Sequence, residues 1–335
     1  MSIEKRISEL VRLGDYLRSG SEELDEVKLK AKANNAWFTM ENINFALDSI
    51  ANTMLRRDIL EQWVQRYEFG QISKKIGLIL AGNIPLVGFH DLMCCYVSGH
   101  QALVKTSSKD SILTTHLIDR LNQKNEFQIL ERLEGMEAII ATGSNQSAKQ
   151  FERYFAKYPK IIRRNRNAIA ILDGPLRKEE MQALGRDVFT YFGLGCRNVS
   201  KLYLSSSVNK VDLMEQLHED YNYLIHHNKY KNNFDYNHAI YLLNGDDFMS
   251  SGAIIMRRHE DIVSRIACIH YEEFDDLASL EKDIMTRLGE IQCISGNVNM
   301  ENIKILPLGA CQQPAIDDYA DGVDTLHFLA ELSRS

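Results

Sequence analysis

The stretch FTYFGLGCRNVSKLYL, residues 189–204, carries a single cysteine between a hydrophobic run and a strand-like run. Gly193 and Gly195 lie just before Cys196 and allow the backbone to turn sharply, so that the sulfur can be exposed. A buried structural cysteine does not need such a turn, whereas a nucleophilic thiol must meet an incoming carbonyl group. On spacing alone, a nucleophile and a packing residue remain equally good interpretations of Cys196.

The other five cysteines, Cys94, Cys95, Cys268, Cys293 and Cys311, carry no comparable signal. No C-x-x-C pair and no Cys/His cluster has the spacing of a zinc site, so we expect no metal. Cys94, Cys95 and Cys268 fall in apolar runs and are predicted core residues, because a free thiol packs as a small hydrophobic group. For Cys293 and Cys311 the sequence favours a structural role.

Polar residues also follow two short apolar strands. Asn83 comes after IGLILAG and before Pro85, and its carboxamide suits either a turn or the stabilisation of a developing oxyanion. Lys105 ends the run QALVK, and the hydroxyls of Ser107 and Ser108 can donate hydrogen bonds to phosphate or ribose. Taken singly, Asn83 is better explained as a turn residue, and a lysine at the end of a strand is usually only solvated.

A third turn, Gly143-Ser144, begins a helix whose N–H groups and dipole favour an anion, although a simply capped helix is an equally good interpretation. Short apolar strands alternate with helical patterns along this part of the chain, which predicts an α/β fold with a mostly parallel sheet. In such sheets ligands bind outside the carboxyl ends of the strands. We expect the turns of interest at that edge: Gly82-Asn83, Lys105-Thr106, Gly143-Ser144 and Gly193–Cys196.

The remaining elements complete the pattern. Residues 1–69 have helical periodicity, and residues 275–289 form an acidic helical pattern. The runs IYLLNG (240–245) and RIACIHY (265–271) are predicted strands, and the tail ends in a short amphipathic helix.

The amino-acid composition restricts the classes of protein to which the chain can belong. The 335 residues are 44% hydrophobic and 25% charged, which is typical of a globular chain of about two domains. The net charge of −7 argues against a general nucleic-acid binder, because neutralising phosphates needs an excess of Lys and Arg. The longest apolar stretches are too short to span a bilayer, and the N-terminus lacks the apolar core of a signal peptide. We therefore expect a cytoplasmic protein with no membrane partner.

The order of the motifs resembles the aldehyde dehydrogenase superfamily over roughly residues 75–315. GNIPL, SGHQALVKTSS, ATGS, GLGC and LPLG follow one another in register. The denser match is to the acyl-CoA reductases of the bioluminescence-type fatty-acid reductase family, through GNIPLVGFHDL, GLGCRNVSKLYL and QQPAIDDYADGVDTLHFL. The resemblance implies N-terminal helices with a Rossmann-like cofactor domain at 1–166, an α/β catalytic domain carrying the nucleophilic cysteine at 167–312, and a tail helix at 313–335.

The resemblance also assigns roles. It implies that Cys196 is the nucleophile and that the amide of Asn83 and the backbone N–H of Cys196 form the oxyanion hole. Lys105 matches the lysine that holds the adenosine ribose, and Gly143 and Ser144 match the helix start under the cofactor.

Two departures from the superfamily are informative. Hydrolytic relatives carry a glutamate that activates water, but Ile162 lies near that position and no acid occurs between Glu152 and Asp173. Without a positioned base, water attacks a thioester slowly, which favours exchange with coenzyme A. The nearby basic run Arg163, Arg164 and Arg166 could contact a phosphate, but a solvated segment leading into a strand is favoured.

The second departure is the turn K-T-S-S, where many NAD-preferring relatives have a carboxylate that binds the ribose hydroxyls. Ser108 stands at the acid position, Ser107 precedes it and Lys109 adds a positive charge. A carboxylate would repel a 2′-phosphate and serine does not, so NADP(H) is favoured over NAD(H).

These points predict an acyl-CoA reductase whose substrate is a CoA thioester, fatty in character. The enzyme would form an S-acyl-cysteine and reduce it to the aldehyde with NADPH. The alternatives are another acylating relative, such as a semialdehyde or acyl-phosphate reductase, or a non-catalytic partner of an acyl-activating synthetase. Such a synthetase and a second copy of the chain, as a homo-oligomer, are the expected macromolecular partners.

Overall fold

The computed structural model describes residues 1–121 and 125–334. The chain divides into two compact units, here called unit 1 (Met1–Asn165 with Pro314–Ser335) and unit 2 (Arg166–Gln313). The chain leaves unit 1 after Asn165 and returns to it at Pro314, so the tail is a part of unit 1 and not a separate body.

Helices form the N-terminal part of unit 1, as the periodicity of residues 1–69 predicts. Hydroxyl side chains accept backbone N–H groups at the first three helix starts, through Ser2, Ser21 and Thr39. Within the described residues, no helix is both long and apolar enough to cross a bilayer. The helices of unit 1 are α1 (Ile3–Arg18), α2 (Glu22–Asn34), α3 (Met40–Thr53), α4 (Arg57–Val64), α5 (Phe89–Ser98), α6 (Ser111–Leu121), α7 (Asn145–Tyr154) and α12 (Thr325–Leu332).

The sheet of unit 1 is parallel throughout, in the order β3-β2-β1-β4-β5. Ile79 pairs with Lys105 on one side and with Ala141 on the other. The carboxyl ends of three adjacent strands, β1, β2 and β4, therefore lie side by side. The strands are β1 (Lys75–Ile79), β2 (Gln101–Lys105), β3 (Phe127–Ile129), β4 (Ala138–Thr142) and β5 (Lys160–Arg163).

The tail helix α12 belongs to the main core of unit 1. Leu326 and Leu329 are fully buried and join the same hydrophobic cluster as Cys94 and Cys95 of α5. Burying one such leucine side chain stabilises the fold by about 1.5–3 kcal/mol. The expectation that Cys94 and Cys95 are core residues is confirmed.

Unit 2 has a six-stranded sheet in the order β11-β6-β7-β10-β9-β8, in which only the short β8 runs antiparallel to its neighbour among the described pairings. Cys268 begins β10 and is buried, as expected for a core residue. The elements are β6 (Asn167–Leu172), α8 (Lys178–Phe189), β7 (Val199–Ser205), α9 (Lys210–Tyr221), α10 (Asn228–Asn244), β8 (Met249–Ser250), β9 (Ile255–Arg258), β10 (Cys268–Phe274), α11 (Leu277–Arg287) and β11 (Ile291–Gly296).

The predicted strand IYLLNG is wrong. Residues 240–244 are the last turns of α10, and Gly245 ends this helix in the left-handed conformation, with φ of 69°. A short apolar run has the same appearance in a buried strand and in a helix, so periodicity alone could not separate the two. The polar residues 228–239 form the first part of the same helix.

Candidate active site

Cys196 lies in a turn of unit 2 between a short 3-10 helix, Thr190–Gly193, and the first residue of β7, Val199. Its side chain is partly exposed. The expectation that this turn follows the carboxyl end of a strand is wrong, because α8 and the 3-10 helix lead into it and it precedes β7. The thiol therefore sits at the amino end of a strand in its own unit.

The backbone just before Cys196 is strained. Tyr191, Phe192 and Gly193 adopt left-handed conformations in succession, with φ of 55°, 59° and 76°. Glycine tolerates this region freely, but each bulky residue there costs about 1–3 kcal/mol and persists only where its surroundings hold it. Both aromatic side chains are buried, and the ring of Phe192 lies 4.3 Å from the ring of His227.

A buried asparagine, Asn198, holds this strained turn in place. Its Oδ1 accepts the backbone N–H of Gly195 at 2.7 Å, and its Nδ2 donates to the carbonyl of Thr190 at 2.8 Å. The same Nδ2 donates to the carbonyls of Asp187 and Val188 at 3.1 Å each. One side chain thus joins the end of α8 to both sides of the turn that carries Cys196.

A second buried group, Asp187, brings the late LPLG turn to the same place. Its carboxylate accepts the backbone N–H of Gly309 at 2.8 Å and that of Cys311 at 3.0 Å. Burial raises the pKa of this carboxyl, and the two N–H donors partly oppose the rise. Gln312 donates through Nε2 to the carbonyl of Arg197 at 2.9 Å, so the late turn also contacts the residue after Cys196.

Sequence reasoning missed Asp187 and Asn198. Their signal is weak but readable: each is a short polar residue inside an otherwise apolar run, in RDVFTYF and in CRNVSKL. Buried polar groups are normally hydrogen-bonded, so such residues mark places where a side chain organises backbone groups.

In unit 1 the structure brings three of the predicted turns to one edge. Lys105 is the exposed last residue of β2, Asn83 is partly buried in the turn after β1, and Gly143 directly follows β4. A Cβ on Gly82 would lie 2.6 Å from Oγ of Ser107, so the turns after β1 and β2 rest against each other. The glycine is needed for this close approach.

Two predicted cofactor residues make hydrogen bonds within unit 1. Ser144 caps α7, because its Oγ accepts the N–H of Ser147 at 3.2 Å, as the capped-helix interpretation expects. Ser108 is exposed, and its carbonyl accepts a hydrogen bond from Nδ2 of Asn34 at 3.2 Å.

A cavity of about 520 Å³ opens at this edge of unit 1, next to the ends of β1 and β2. Its volume lies in the range of small-molecule sites, and its lining combines two cations, one carboxylate and several aromatic rings. These groups fit a nucleotide, because cations bind phosphate and aromatic rings pack against a base. The lining residues are Ile79, Lys105, Arg132, Leu133, Glu134, Gln150, Phe151, Tyr154 and Phe155.

Only Lys105 among the predicted cofactor residues lines this cavity. Arg132 and Glu134 were missed because they lie in the short connection between β3 and β4, where no motif marks them. Gly143 contributes indirectly: a Cβ there would lie 3.0 Å from the ring of Phe151, so the glycine lets α7 pack close to the strand ends.

Arg163 is neither a phosphate contact nor a solvated residue, and both expectations for it are wrong. Its guanidinium is buried, forms an ion pair with Asp91 of α5, and donates through Nη2 to Oγ1 of Thr325 at 2.7 Å. Ile162 beside it packs in an apolar cluster with Phe155.

Across the described ranges, no group of three or more His, Cys, Asp or Glu side chains is arranged to hold a metal ion. Cys196 and Cys293 are partly exposed, and the other four cysteines are buried.

Comparison with known proteins agrees with the fold predicted from the sequence. The family model described as Acyl-CoA reductase (LuxC) matches residues 19–218. Aldehyde dehydrogenase 21 from Physcomitrella patens, in complex with the reaction product succinate, is similar with a TM-score of 0.67 at 13% identity, covering 95% of this chain and 80% of that one. The NAD+ complex of an aldehyde dehydrogenase from Bacillus cereus has a TM-score of 0.66 at 13% identity, covering 88% and 72%. None of the curated proteins matches the sequence significantly. The expected aldehyde dehydrogenase-like α/β fold is confirmed.

Proposed function

The chain belongs to the acyl-CoA reductase (LuxC) family and is an aldehyde-dehydrogenase-like oxidoreductase, and from this premise we propose that it reduces an acyl-CoA to the aldehyde with NADPH. The observation that carries the proposal is the partly exposed thiol of Cys196 on a strained turn that Asn198 clamps. A side chain held this way is preorganised for attack, and strain of this kind clusters at functional sites.

In the proposed reaction the Cys196 thiolate attacks the thioester carbonyl of the acyl-CoA. The carbon–sulfur bond to CoA then breaks, which leaves an S-acyl-cysteine and releases the CoA thiol. When bound, the reduced nicotinamide supplies the hydride that this acyl group needs. The resulting thiohemiacetal collapses by breaking its bond to Sγ of Cys196, which frees the aldehyde and restores the thiol.

The oxyanion of each tetrahedral step needs hydrogen-bond donors. The resemblance assigns the backbone N–H of Cys196 and the carboxamide of Asn83, and removing one such donor typically raises the barrier by about 2.7–4 kcal/mol. The hydrogen bonds of Asn198 fix the turn from which the Cys196 N–H projects. These assignments extend the resemblance and remain predictions.

Reduction is favoured over hydrolysis because no acid lies near the position of the glutamate that activates water in the hydrolytic relatives. The segment between Glu152 and Asp173 holds no acid, and Ile162 packs in an apolar cluster. A thioester without an activated water is hydrolysed slowly, so the acyl group persists until it is reduced or returned to CoA.

The preference for NADPH rests on charge. The cavity of unit 1 is lined by two cations, Lys105 and Arg132, and by one carboxylate, Glu134, so its lining carries a net positive charge that suits a 2′-phosphate. Ser108 stands in place of the acid of NAD-preferring relatives, which supports the same choice. Ser107, Gly143 and Ser144 remain predicted cofactor residues that do not distinguish the two cofactors. A fatty acyl chain, a supplying acyl-activating synthetase and a homo-oligomer remain predictions from the resemblance.

Mass spectrometry after incubation with a panel of acyl-CoAs, without reduced cofactor, tests the proposal. We expect one acyl group on the tryptic peptide 187–197, which contains Cys196. Cys196→Ala should lose both the adduct and acyl-CoA-dependent oxidation of NADPH. The matched control is Cys293→Ala, since Cys293 is the other partly exposed cysteine, and it should keep both.

Two results would overturn the proposal. One is acyl-CoA-dependent NADPH oxidation in Cys196→Ala at the wild-type rate. The other is labelling and turnover with acyl phosphates but not with CoA thioesters, which would make the chain an acyl-phosphate reductase.

A further inference from the structure

A buried carboxyl of unit 1, Asp110, contacts the turn that carries Asn83. Asp110 directly precedes α6, and its Oδ2 accepts the backbone N–H of Leu86 at 2.8 Å and the hydroxyl of Thr114 at 3.2 Å. Leu86 lies three residues after Asn83, in the connection between β1 and α5. One side chain at the start of α6 thus reaches the turn of the predicted oxyanion donor.

The backbone at Leu86 is strained. Its φ of 56° lies in the left-handed region, which a leucine rarely adopts. Its side chain is buried, and its carbonyl accepts the N–H of Phe89 at 2.9 Å, where α5 begins. Leu86 therefore sets the direction in which the chain enters α5. A conformation of this kind persists only where its surroundings hold it, and the hydrogen bond to Asp110 fixes the N–H at that point.

Asp110 also belongs to the turn of the predicted cofactor residue Ser107. The N–H of Asp110 donates to the carbonyl of Ser107 at 3.1 Å, which closes this turn. A Cβ on Gly82 would lie 2.6 Å from Cβ of Ser107 and 3.1 Å from Cβ of Asp110. The two turns therefore touch at Gly82 and are hydrogen-bonded at Leu86, on either side of Asn83.

The carboxyl of Asp110 is only partly satisfied. Its second oxygen, Oδ1, is buried and has no hydrogen-bond partner among the residues that the structure describes. Burying a carboxyl with an unpaired oxygen costs free energy, so stabilisation of the fold alone does not explain Asp110. Backbone strain clusters at functional sites, and a partly satisfied buried group calls for an explanation. In this turn the two features are hydrogen-bonded to each other.

We propose that Asp110 is a positioning residue for the reduction of acyl-CoA: by holding Leu86 it fixes the turn from which the carboxamide of Asn83 reaches the oxyanion. The same contacts tie this turn to the one that carries Ser107. The role of Asn83 rests on the proposed function, whereas the hold of Asp110 on Leu86 does not depend on it.

Two reactions of Cys196 separate positioning from damage to the fold. Transfer of an acyl group from CoA to the thiol passes through a tetrahedral oxyanion, which needs its hydrogen-bond donors in place. Alkylation of the same thiol by iodoacetamide displaces iodide and forms no oxyanion. A misplaced Asn83 should therefore slow the first reaction and leave the second unchanged, whereas general damage to the fold changes both.

The test variants are Asp110→Ala, which removes the acceptor, and Asp110→Asn, whose amide oxygen restores it. Acylation of the full chain by acyl-CoA, without reduced cofactor, is followed by mass spectrometry. At saturating acyl-CoA, Asp110→Ala should be acylated at least tenfold more slowly, and the concentration that gives the half-maximal rate should change less than threefold. Asp110→Asn should recover most of the rate. The rate constant for iodoacetamide alkylation of Cys196 should stay within twofold of wild type in both variants.

The matched control is Asp119→Ala, because Asp119 is an exposed carboxyl on the same helix, and it should be acylated like wild type. Two further measurements link the effect to Asn83 and to Leu86. Asn83→Ala should also be at least tenfold slower, and the double variant with Asp110→Ala should be no slower than Asn83→Ala alone. Hydrogen exchange of the Leu86 amide, followed on peptides that cover residues 82–88, should be at least tenfold faster in Asp110→Ala and close to wild type in Asp110→Asn.

A wild-type acylation rate in Asp110→Ala would refute the proposal, and so would fold-losses that multiply in the double variant. An Asp110→Asn protein as slow as Asp110→Ala would refute it as well, because the acceptor would then not be what matters. Failure of wild type to be acylated by any CoA thioester would refute the proposed function instead, and the exchange measurement would still decide whether Asp110 holds the turn.

Discussion

Oδ1 of Asn198 accepts the backbone N–H of Gly195 at 2.7 Å, one residue before Cys196. The amide of the same side chain donates to three carbonyls between Asp187 and Thr190. A single fully buried side chain thus satisfies backbone groups on both sides of a left-handed run that no regular element could accommodate. The position of the thiol therefore depends on this side chain as well as on the glycines of the turn.

Asn198→Ala should therefore lower both the stability of the fold and the reactivity of the Cys196 thiol. The substitution removes the hydrogen bonds to four backbone groups, three of them buried, and we expect the free energy of unfolding to fall by about 2–4 kcal/mol in urea titrations. The alkylation rate of Cys196 and the turnover of acyl-CoA should fall together, since the strained turn relaxes.

The control for this loss is Asn233→Ala. Asn233 makes one exposed hydrogen bond, to the carbonyl of Lys229 at 2.8 Å, and its removal should change stability by about 0.5 kcal/mol or less. An Asn198→Ala protein with wild-type stability and wild-type reactivity of Cys196 would show that packing of the aromatic residues alone holds the turn.

The sequence was informative where structure is local. Periodicity predicted the helices of residues 1–69, the strands β1 and β2 and the helix α11, and the glycines before Cys196 marked the turn. Residues 240–244 were misassigned because an apolar run reads alike in either element. Asp187 could not be found from the sequence, because its role depends on tertiary contacts with residues 309–311. Arg132 could not be found because it lies in a short connection without a motif.

The cavity of unit 1 makes a prediction about the choice of cofactor. Arg132→Ala should weaken NADPH binding about tenfold or more and NADH binding much less, because only NADPH carries the 2′-phosphate that a guanidinium binds. Glu134→Gln should have the opposite effect: removing the carboxylate should strengthen the binding of NADPH more than that of NADH. Dissociation constants measured by calorimetry, without acyl-CoA, report the effect independently of turnover.

Arg153→Ala is the matched control for the cofactor measurement. Arg153 is exposed on α7 but does not line the cavity, so both dissociation constants should stay within about twofold of wild type. Equal weakening of NADPH and NADH by Arg132→Ala would mean that Arg132 does not meet the 2′-phosphate.

The buried ion pair of Arg163 and Asp91 makes a prediction about stability. Arg163→Met leaves a buried carboxylate without its partner and should destabilise the protein by about 3–5 kcal/mol. The double variant Arg163→Met with Asp91→Leu should be less destabilised than Arg163→Met, because no uncompensated charge remains. Urea unfolding measures both.

An exposed ion pair provides the comparison for Arg163. Arg57 and Glu61 lie 3.1 Å apart with about half of each side chain exposed, so Arg57→Met should change stability by about 1 kcal/mol at most. If the double variant Arg163→Met with Asp91→Leu loses as much unfolding free energy as the two single variants together, the two charges are not coupled.

A buried carboxyl in unit 1, Asp110, should make stability depend on pH. Its Oδ2 accepts the N–H of Leu86 at 2.8 Å in the turn that also holds Asn83, and burial raises its pKa to about 7. The folded state therefore binds this proton more tightly than the unfolded state, where an aspartate has a pKa of about 4. The contribution of Asp110 to stability is complete below about pH 4 and is lost as the pH rises to about 7.

Asp110→Asn should remove this part of the pH dependence, since the amide oxygen still accepts the N–H of Leu86 and carries no charge. Within the window, wild type should lose up to about 1.4 kcal/mol of unfolding free energy per pH unit relative to the variant. Urea unfolding at several values between pH 4.5 and pH 8, taken as the difference between the two proteins, isolates the group. Asp48→Asn, at an exposed site on α3, should parallel wild type. Parallel curves for Asp110→Asn and wild type would show that Asp110 stays ionised in the fold across this range, against the effect of its burial.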